Sequence, residues 1–125
     1  MSESRNSVYF TVRARRDDRL LGFVYLDWIL WSTGTCSLKM ALGLAERRQG
    51  YGSAALALAL DYTFNEANLH RVSVWVPGYN PGAVRFFERA GFQEEVRRRQ
   101  AAVWAGQRFD LLGLGLLGRE WKASR

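Results

Sequence analysis

Six residues near the middle of the chain, Arg47-Arg48-Gln49-Gly50-Tyr51-Gly52, have the spacing of an anion cradle. They read R-x-x-G-x-G and run straight into an Ala/Leu-rich stretch that begins at Ser53. A helix start leaves about four backbone N–H groups without intrahelical partners, at the positive end of the helix dipole. Glycines there let the main chain approach an anion with no Cβ in the way, so phosphate is the natural guest. Two glycines before a helix also make an ordinary tight turn, and the hexapeptide alone leaves both readings open. Other reactive side chains are few. His70 is the single histidine and precedes a strand beside Arg71, which reads as a surface or hydrogen-bonding role. Cys36 has no evident thiolate-stabilising neighbour and reads as structural. Glu46, at the loop edge, reads as solvated or salt-bridged rather than as a base. No His/Cys/Asp/Glu group has metal-ligand spacing, so no metal is expected.

The elements that must position these residues follow from pattern. Residues 8–15 alternate as a strand, Arg16-Asp17-Asp18-Arg19 makes a polar turn, and residues 20–29 return antiparallel. Ser32-Thr33-Gly34 breaks the pattern before a third strand over 36–44. A helix over about 50–67 is apolar on most sides and is expected to be covered on more than one face. Residues 72–76 form a short β-branched strand. Asn80 then supplies an N-cap and Pro81 the first position of a helix that ends at Gly91. A final hairpin pairs 92–104 with 108–117 around Ala105-Gly106-Gln107. The order is β-β-β-α-β-α-β-β, an α/β (α+β) chain with a mixed, mostly antiparallel sheet. It is expected to be a single domain over 1–125.

The chain has 125 residues, nearly half hydrophobic and a quarter charged, which is globular composition. No apolar run approaches the roughly 18 residues that span a bilayer, and the polar start MSESRNS lacks a signal-peptide core. The single cysteine makes no internal disulfide, so a reduced, cytoplasmic setting is expected. The net charge of +6 permits an anionic partner. Arg97-Arg98-Arg99 on a strand would send Arg97 and Arg99 to one face and Arg98 to the other. RNP signatures, zinc spacings and a helix-turn-helix pattern are all absent, so a nucleic-acid partner is not expected.

Several separated features agree in order with one family. They are RRQGYGSAALALALDYTF, NLHRVSVWV, N-x-x-A-x-x-F-F-E-R-A-G-F from Asn80 to Phe92, and the closing G-Q-R-F-D and E-W. Together they resemble the GNAT superfamily of acyl-CoA-dependent N-acyltransferases, and within it the ribosomal-protein-alanine N-acetyltransferases. The resemblance implies that strands 36–44 and 72–76 splay into a cleft for the pantetheine arm of acetyl-CoA, bonded to main chain near Leu42 and Leu44. It implies that the pyrophosphate lies on the backbone of Arg48, Gln49, Gly50, Tyr51, Gly52 and Ser53, with Arg47 opening the motif. Asn80 matches an asparagine that helps hold the co-substrate, and Phe87 falls at a neighbouring cofactor-site position. Asp110 and Trp121 match positions that look structural.

The chain also departs from the family pattern. The residue seven after the asparagine is commonly a tyrosine that protonates the leaving thiolate, and here it is Phe87. Tyr51 lies too far along the co-substrate to replace it; Tyr79 is the better stand-in, with a turn-packing role as the alternative. The strand that often carries a catalytic glutamate has Ser37 and Lys39 instead. Relatives usually begin with a strand and two helices ahead of the first hairpin, and that expectation is not met by MSESRN. Trp28 and Trp31 would then line the opening. An uncovered sheet edge and face lead to the expectation of a homodimer or a docked partner. The resemblance implies an N-acetyltransferase moving acetyl from acetyl-CoA to a primary amine of a protein N-terminus or a small molecule. The alternative is a catalytically weak or inactive binding or regulatory protein of the same fold. Nucleic-acid binding through the arginines is a third reading, and it requires affinity that falls steeply with salt.

Overall fold

Alternation of apolar and polar residues dictates most of the strands. The computed structural model describes residues 7–42 and 50–123. The chain divides into two compact units, Met1–His70 and Arg71–Arg125.

The first unit opens with three antiparallel strands, β1 (Val8–Arg13), β2 (Leu20–Leu30) and β3 (Thr35–Leu42). β1 stops two residues earlier than expected. Ala14 is buried, its N–H donates to the Arg19 carbonyl, and residues 15–17 turn. The buried positions of β2 are Leu21, Val24, Leu26 and Ile29. A period of two is broken twice by steps of three, and the pairing register shifts at both places. Each step marks a bulge, one extra residue on one strand. At the second, Trp28 takes φ 52, and its N–H donates to Asp27 Oδ1 at 2.8 Å.

Helix α1 (Tyr51–Asp61) buries Gly52, Ala55, Leu56, Ala59 and Leu60. Its far side stays open: Leu58 is 73% exposed, so the helix is not covered all round as its composition suggested. The expected helical span continues as a π-helical turn over Tyr62–Glu66. Buried Thr63 donates its hydroxyl to the Ala59 carbonyl at 2.7 Å. Such back-bonding perturbs the regular ladder and accompanies the wider turn.

The second unit holds β4 (Arg71–Pro77), helix α2 (Pro81–Arg89), β5 (Gln93–Trp104), β6 (Gln107–Leu117) and α3 (Gly118–Ala123). β6 pairs antiparallel with both β4 and β5. Val72, Val74 and Val76 lie opposite Leu116, Leu114 and Leu112, and all six are buried. Pleat geometry places these on one face. The other face carries Gly113, where a Cβ would stand 2.9 Å from the Trp75 ring, so glycine lets the indole lie against the strand. β5 and β6 join through Ala105 and Gly106, at φ 53 and 77, rather than the expected three-residue loop. Two positive-φ residues make the tight turn that matches strand twist. α3 has no counterpart in the expected order; Glu120 Oε1 accepts from the Leu117 N–H at 3.0 Å and starts it, and Trp121 is buried.

Candidate functional site

Gly50 precedes α1 with φ 81, a left-handed value that L side chains avoid. A Cβ built there meets nothing within 4 Å among the described residues. No side chain caps the helix and no acidic residue lies in its first turn. The first intrahelical bond of this end runs from the Ala54 N–H to the Gly50 carbonyl at 3.2 Å. The N–H groups of Tyr51, Gly52 and Ser53 therefore point outward without helical acceptors, at the positive end of the dipole. Tyr51 is half-buried and Ser53 exposed. A helix start of this kind has the donors that an anion would need. The remaining motif residues Arg47, Arg48 and Gln49, with Leu44 and Glu46, lie outside the described residues. Leu42 is described through its backbone, which pairs with Gly22.

In the second unit Asn80 caps α2 as its type and position predicted. Its Oδ1 accepts from the Ala83 N–H at 3.2 Å, and Pro81 follows in the first turn. Because the cap uses Oδ1, the amide NH2 remains as a donor pair. Phe87 is 8% exposed, with ring centroids 5.1 Å from Phe86 and 5.4 Å from Phe92. Gly91 ends the helix at φ 109, as expected of a left-handed cap. Tyr79 stacks on Trp104 at 5.7 Å and meets Phe109 edge-on at 5.5 Å, which is the turn-packing role.

The other candidates are placed as follows. Cys36 is buried, and burial pushes its thiol up to about 12, so it is protonated and unreactive at neutral pH. His70 is exposed, and its backbone N–H donates to the Gly34 carbonyl at 2.6 Å. Ser37 lies opposite Asp27 in the β2–β3 register, and Lys39 Nζ is 3.7 Å from the Asp27 carboxylate. Asp27 is the residue that sequence reasoning passed over: it is the one carboxylate on β2 and β3. The signal was present in the three-residue step from Leu26 to Ile29, which turns Asp27 and Trp28 out of the alternation. Trp28 and Trp31 are 70% and 54% exposed at this end of the hairpin.

The arginines of β5 are engaged. Arg97 donates to Glu94 Oε1 and Oε2 at 3.1 Å and to Asp110 Oδ2 at 3.0 Å. The Gln100 N–H and then Arg97 hold the Asp110 carboxyl below the usual carboxylate range. Arg98 sits 5.1 Å over the Trp75 ring. Arg97 and Arg98 pair with Leu112 and Leu111 and so lie on opposite faces as expected, but Arg99 enters a register shift before Ala102. Arg71 pairs with Glu95. Among the described residues no group of three or more His, Cys, Asp or Glu side chains is placed to hold a metal, and no helix is long and apolar enough to cross a membrane.

A model of the acetyltransferase (GNAT) family matches residues 1–92. The chain belongs to the GNAT acetyltransferase family. It is 34% identical over 94 residues to the probable N-acetyltransferase YjcK of Bacillus subtilis, covering 74% of this chain and 52% of that protein. The chain thus spans about half the length of this curated relative. Among solved structures it is similar to the F149A mutant of the spermidine N-acetyltransferase SpeG from Vibrio cholerae. That match has a TM-score of 0.88 and 26% identity, over 96% of this chain and 71% of that one. A dodecameric structure of the same enzyme matches with a TM-score of 0.87 and 25% identity, over 93% and 67%. The mixed α/β fold of this chain matches that of this GNAT neighbour.

Proposed function

We propose that this GNAT chain transfers acetyl from acetyl-CoA to a primary amine. The observation that carries the reading is the helix start at Gly50, with three N–H groups lacking helical acceptors, no acidic residue in the first turn and, among the described residues, nothing within 4 Å of a Cβ at position 50. A pyrophosphate presents the charge this cradle accepts. In the proposal Gly50, Tyr51, Gly52 and Ser53 hold that pyrophosphate, together with Arg47, Arg48 and Gln49. Leu42 and Leu44 supply main-chain contacts to the pantetheine arm. Asn80, whose amide NH2 is free of the cap, and Phe87 are the second-unit residues that the family resemblance assigns to the co-substrate.

Acetyl-CoA, when bound, supplies a thioester carbonyl activated for attack by an amine. The chain's part is to hold the thioester and amine in reacting geometry, worth up to about 7–11 kcal/mol in ideal cases. Nitrogen forms a bond to the carbonyl carbon, the carbon–sulfur bond breaks, the amine loses a proton and the thiolate gains one. The acceptor class supported by the SpeG neighbours is a polyamine; a protein N-terminus is the other member of the same amine chemistry. Self-association belongs to the same reading.

Incubation with acetyl-CoA and an amine panel that includes spermidine, read as free thiol, tests the proposal. Acetyl-CoA binding with no thiol release from any amine refutes it. That result would favour a second reading, a binding or regulatory protein. The observation behind that reading is the buried, hydroxyl-free ring of Phe87 at the usual general-acid position.

A further inference from the structure

Among the described residues β1 pairs with β2 on one side and with no strand on the other. Edge strands are normally blunted by charge, proline or a cover. Residues Val8 to Val12 contain neither charge nor proline, and Tyr9 is 60% exposed. Beside this edge lies a mostly apolar cavity of about 400 Å³, lined along the strand by Phe10, Thr11, Val12 and Arg13 and behind it by Val24, Ala55, Leu58 and Ala59. Its outer wall is Leu58, the most exposed large apolar side chain described. A free backbone ladder next to an apolar groove is the geometry that accepts an added strand.

We propose that the added strand is β1 of a second copy, paired antiparallel and centred on Thr11. The register follows from symmetry. A two-fold axis normal to the sheet keeps faces, so opposed residues must come from the same face of β1. β1 alternates without a break, half-buried at Val8, Phe10 and Val12 and exposed at Tyr9, Thr11 and Arg13; the extra residue at its bulge is Leu21 on β2. Centring on Thr11 sets Phe10 opposite Val12 of the second copy, and Val12 opposite its Phe10. Both pairs fall on the groove side, where Leu58 of each copy closes over them. On the outer face Tyr9 meets Arg13 of the other copy, and Thr11 meets Thr11. Aromatic to β-branched, aromatic to cation, and threonine to threonine are each favourable cross-strand pairs. The strand is therefore complementary to itself, as a two-fold interface requires. Tyr9 is already held flat against Phe23 at 5.5 Å and 14°, which fixes the ring for this contact.

Thr11 tests the pairing, because one substitution there acts twice across the axis. Thr11 is exposed and has no part in the proposed acetyl-CoA site, so acetyl-CoA affinity reports separately on that reading and on folding. In light scattering at micromolar concentration the native chain is expected at twice its chain mass. Thr11→Lys and Thr11→Glu should each fall to the single-chain mass, since like charges face each other. Mixing the two variants should restore the double mass through a Lys–Glu pair. Under mild oxidation Thr11→Cys should form a covalent dimer, its only other thiol being the buried Cys36. A single-chain mass for the native protein, a mass unchanged in either charged variant, or a mixture that stays monomeric overturns the proposal. Capture of an extended peptide by a monomeric native chain would assign the groove to another occupant and overturn it equally.

Discussion

Replacing Gly50 by alanine and by glutamate separates the backbone role of this residue from its proposed role in holding an anion. Both substitutions place a Cβ on a residue at φ 81, which costs about 1–2 kcal/mol of stability. Among the described residues neither meets a steric neighbour, because none lies within 4 Å of that Cβ. In the free protein the glutamate carboxylate faces the helix dipole favourably, by about 0.3–1 kcal/mol. Gly50→Glu is therefore expected to melt no lower than Gly50→Ala. Binding should divide them sharply. A carboxylate roughly 5 Å from a phosphate charge, at an effective dielectric of about 20, opposes it by about 3 kcal/mol. That corresponds to more than a hundred-fold weaker binding, since about 1.4 kcal/mol is tenfold. Calorimetric titration with CoA and with pantetheine, which lacks the pyrophosphate, reads the difference. CoA affinity should fall in the order native, alanine, glutamate, while pantetheine affinity stays level between the two variants. Equal CoA affinity in Gly50→Ala and Gly50→Glu would refute the placement of the pyrophosphate at this helix start.

Three further outcomes follow from named contacts. Phe87→Tyr buries a hydroxyl among Phe86 and Phe92; without a partner it should cost about 1–3 kcal/mol in urea denaturation, and if the hydroxyl reaches the leaving sulfur, thiol release at saturating substrate should rise. Cys36 should resist iodoacetamide at pH 8 in the folded chain and react once unfolded. Its thiol is raised in the folded state, so the unfolded state ionises first, and stability should fall as pH rises from about 9 towards 12, read by Tm in alkaline buffers. Gly113→Ala places a Cβ 2.9 Å from the ring end of the exposed Trp75; displacing the indole from beneath Arg98 should cost about 0.5–1 kcal/mol and shift tryptophan emission.

Punctuation by residue type made the second unit readable from sequence. Asn80-Pro81 and Gly91 bracket α2 because capping and left-handed backbone are local preferences, satisfied wherever the helix packs. The alternating Val72, Val74 and Val76 mark β4 for the same reason. What escaped was set by pairing. The bulges of β2 depend on where β1 and β3 bond, and a strand read alone shows only a skipped beat between Leu26 and Ile29. α3 is too short for a helical period to announce it. Its start rests on the Glu120 contact to the Leu117 N–H. The exposure of Leu58 was likewise hidden, since a helix rich in Ala and Leu looks buried on every side until one flank proves open. For the candidate site, the glycine motif marked the helix start at Gly50 on which the proposed anion site rests, whereas the proton-transfer groups depend on distances that spacing does not encode.

The absent tyrosine at position 87 attracts notice, but the harder proton belongs to the acceptor. A thiol with a pKa of about 8.5 leaves acceptably as thiolate, so a missing acid costs at most about a hundred- to ten-thousand-fold. A primary amine with a pKa of about 10.4 is free base in only about one part in 2,500 at pH 7, a comparable handicap imposed before any bond forms. A base would remove it, and on β2 and β3 the only carboxylate is Asp27, which already accepts from the Trp28 N–H and lies against Lys39. If no other group acts as base, the proposed reaction draws on the pre-existing free amine. For an alkylamine acceptor kcat/KM should then climb about tenfold per pH unit through the neutral range, levelling only as the amine itself titrates. An acceptor of lower pKa should be used faster at pH 7 by the ratio of free-base fractions. A plateau near neutrality that disappears in Asp27→Asn would refute this and make Asp27 the base. A plateau that persists in that variant would assign the proton to a group outside β2 and β3.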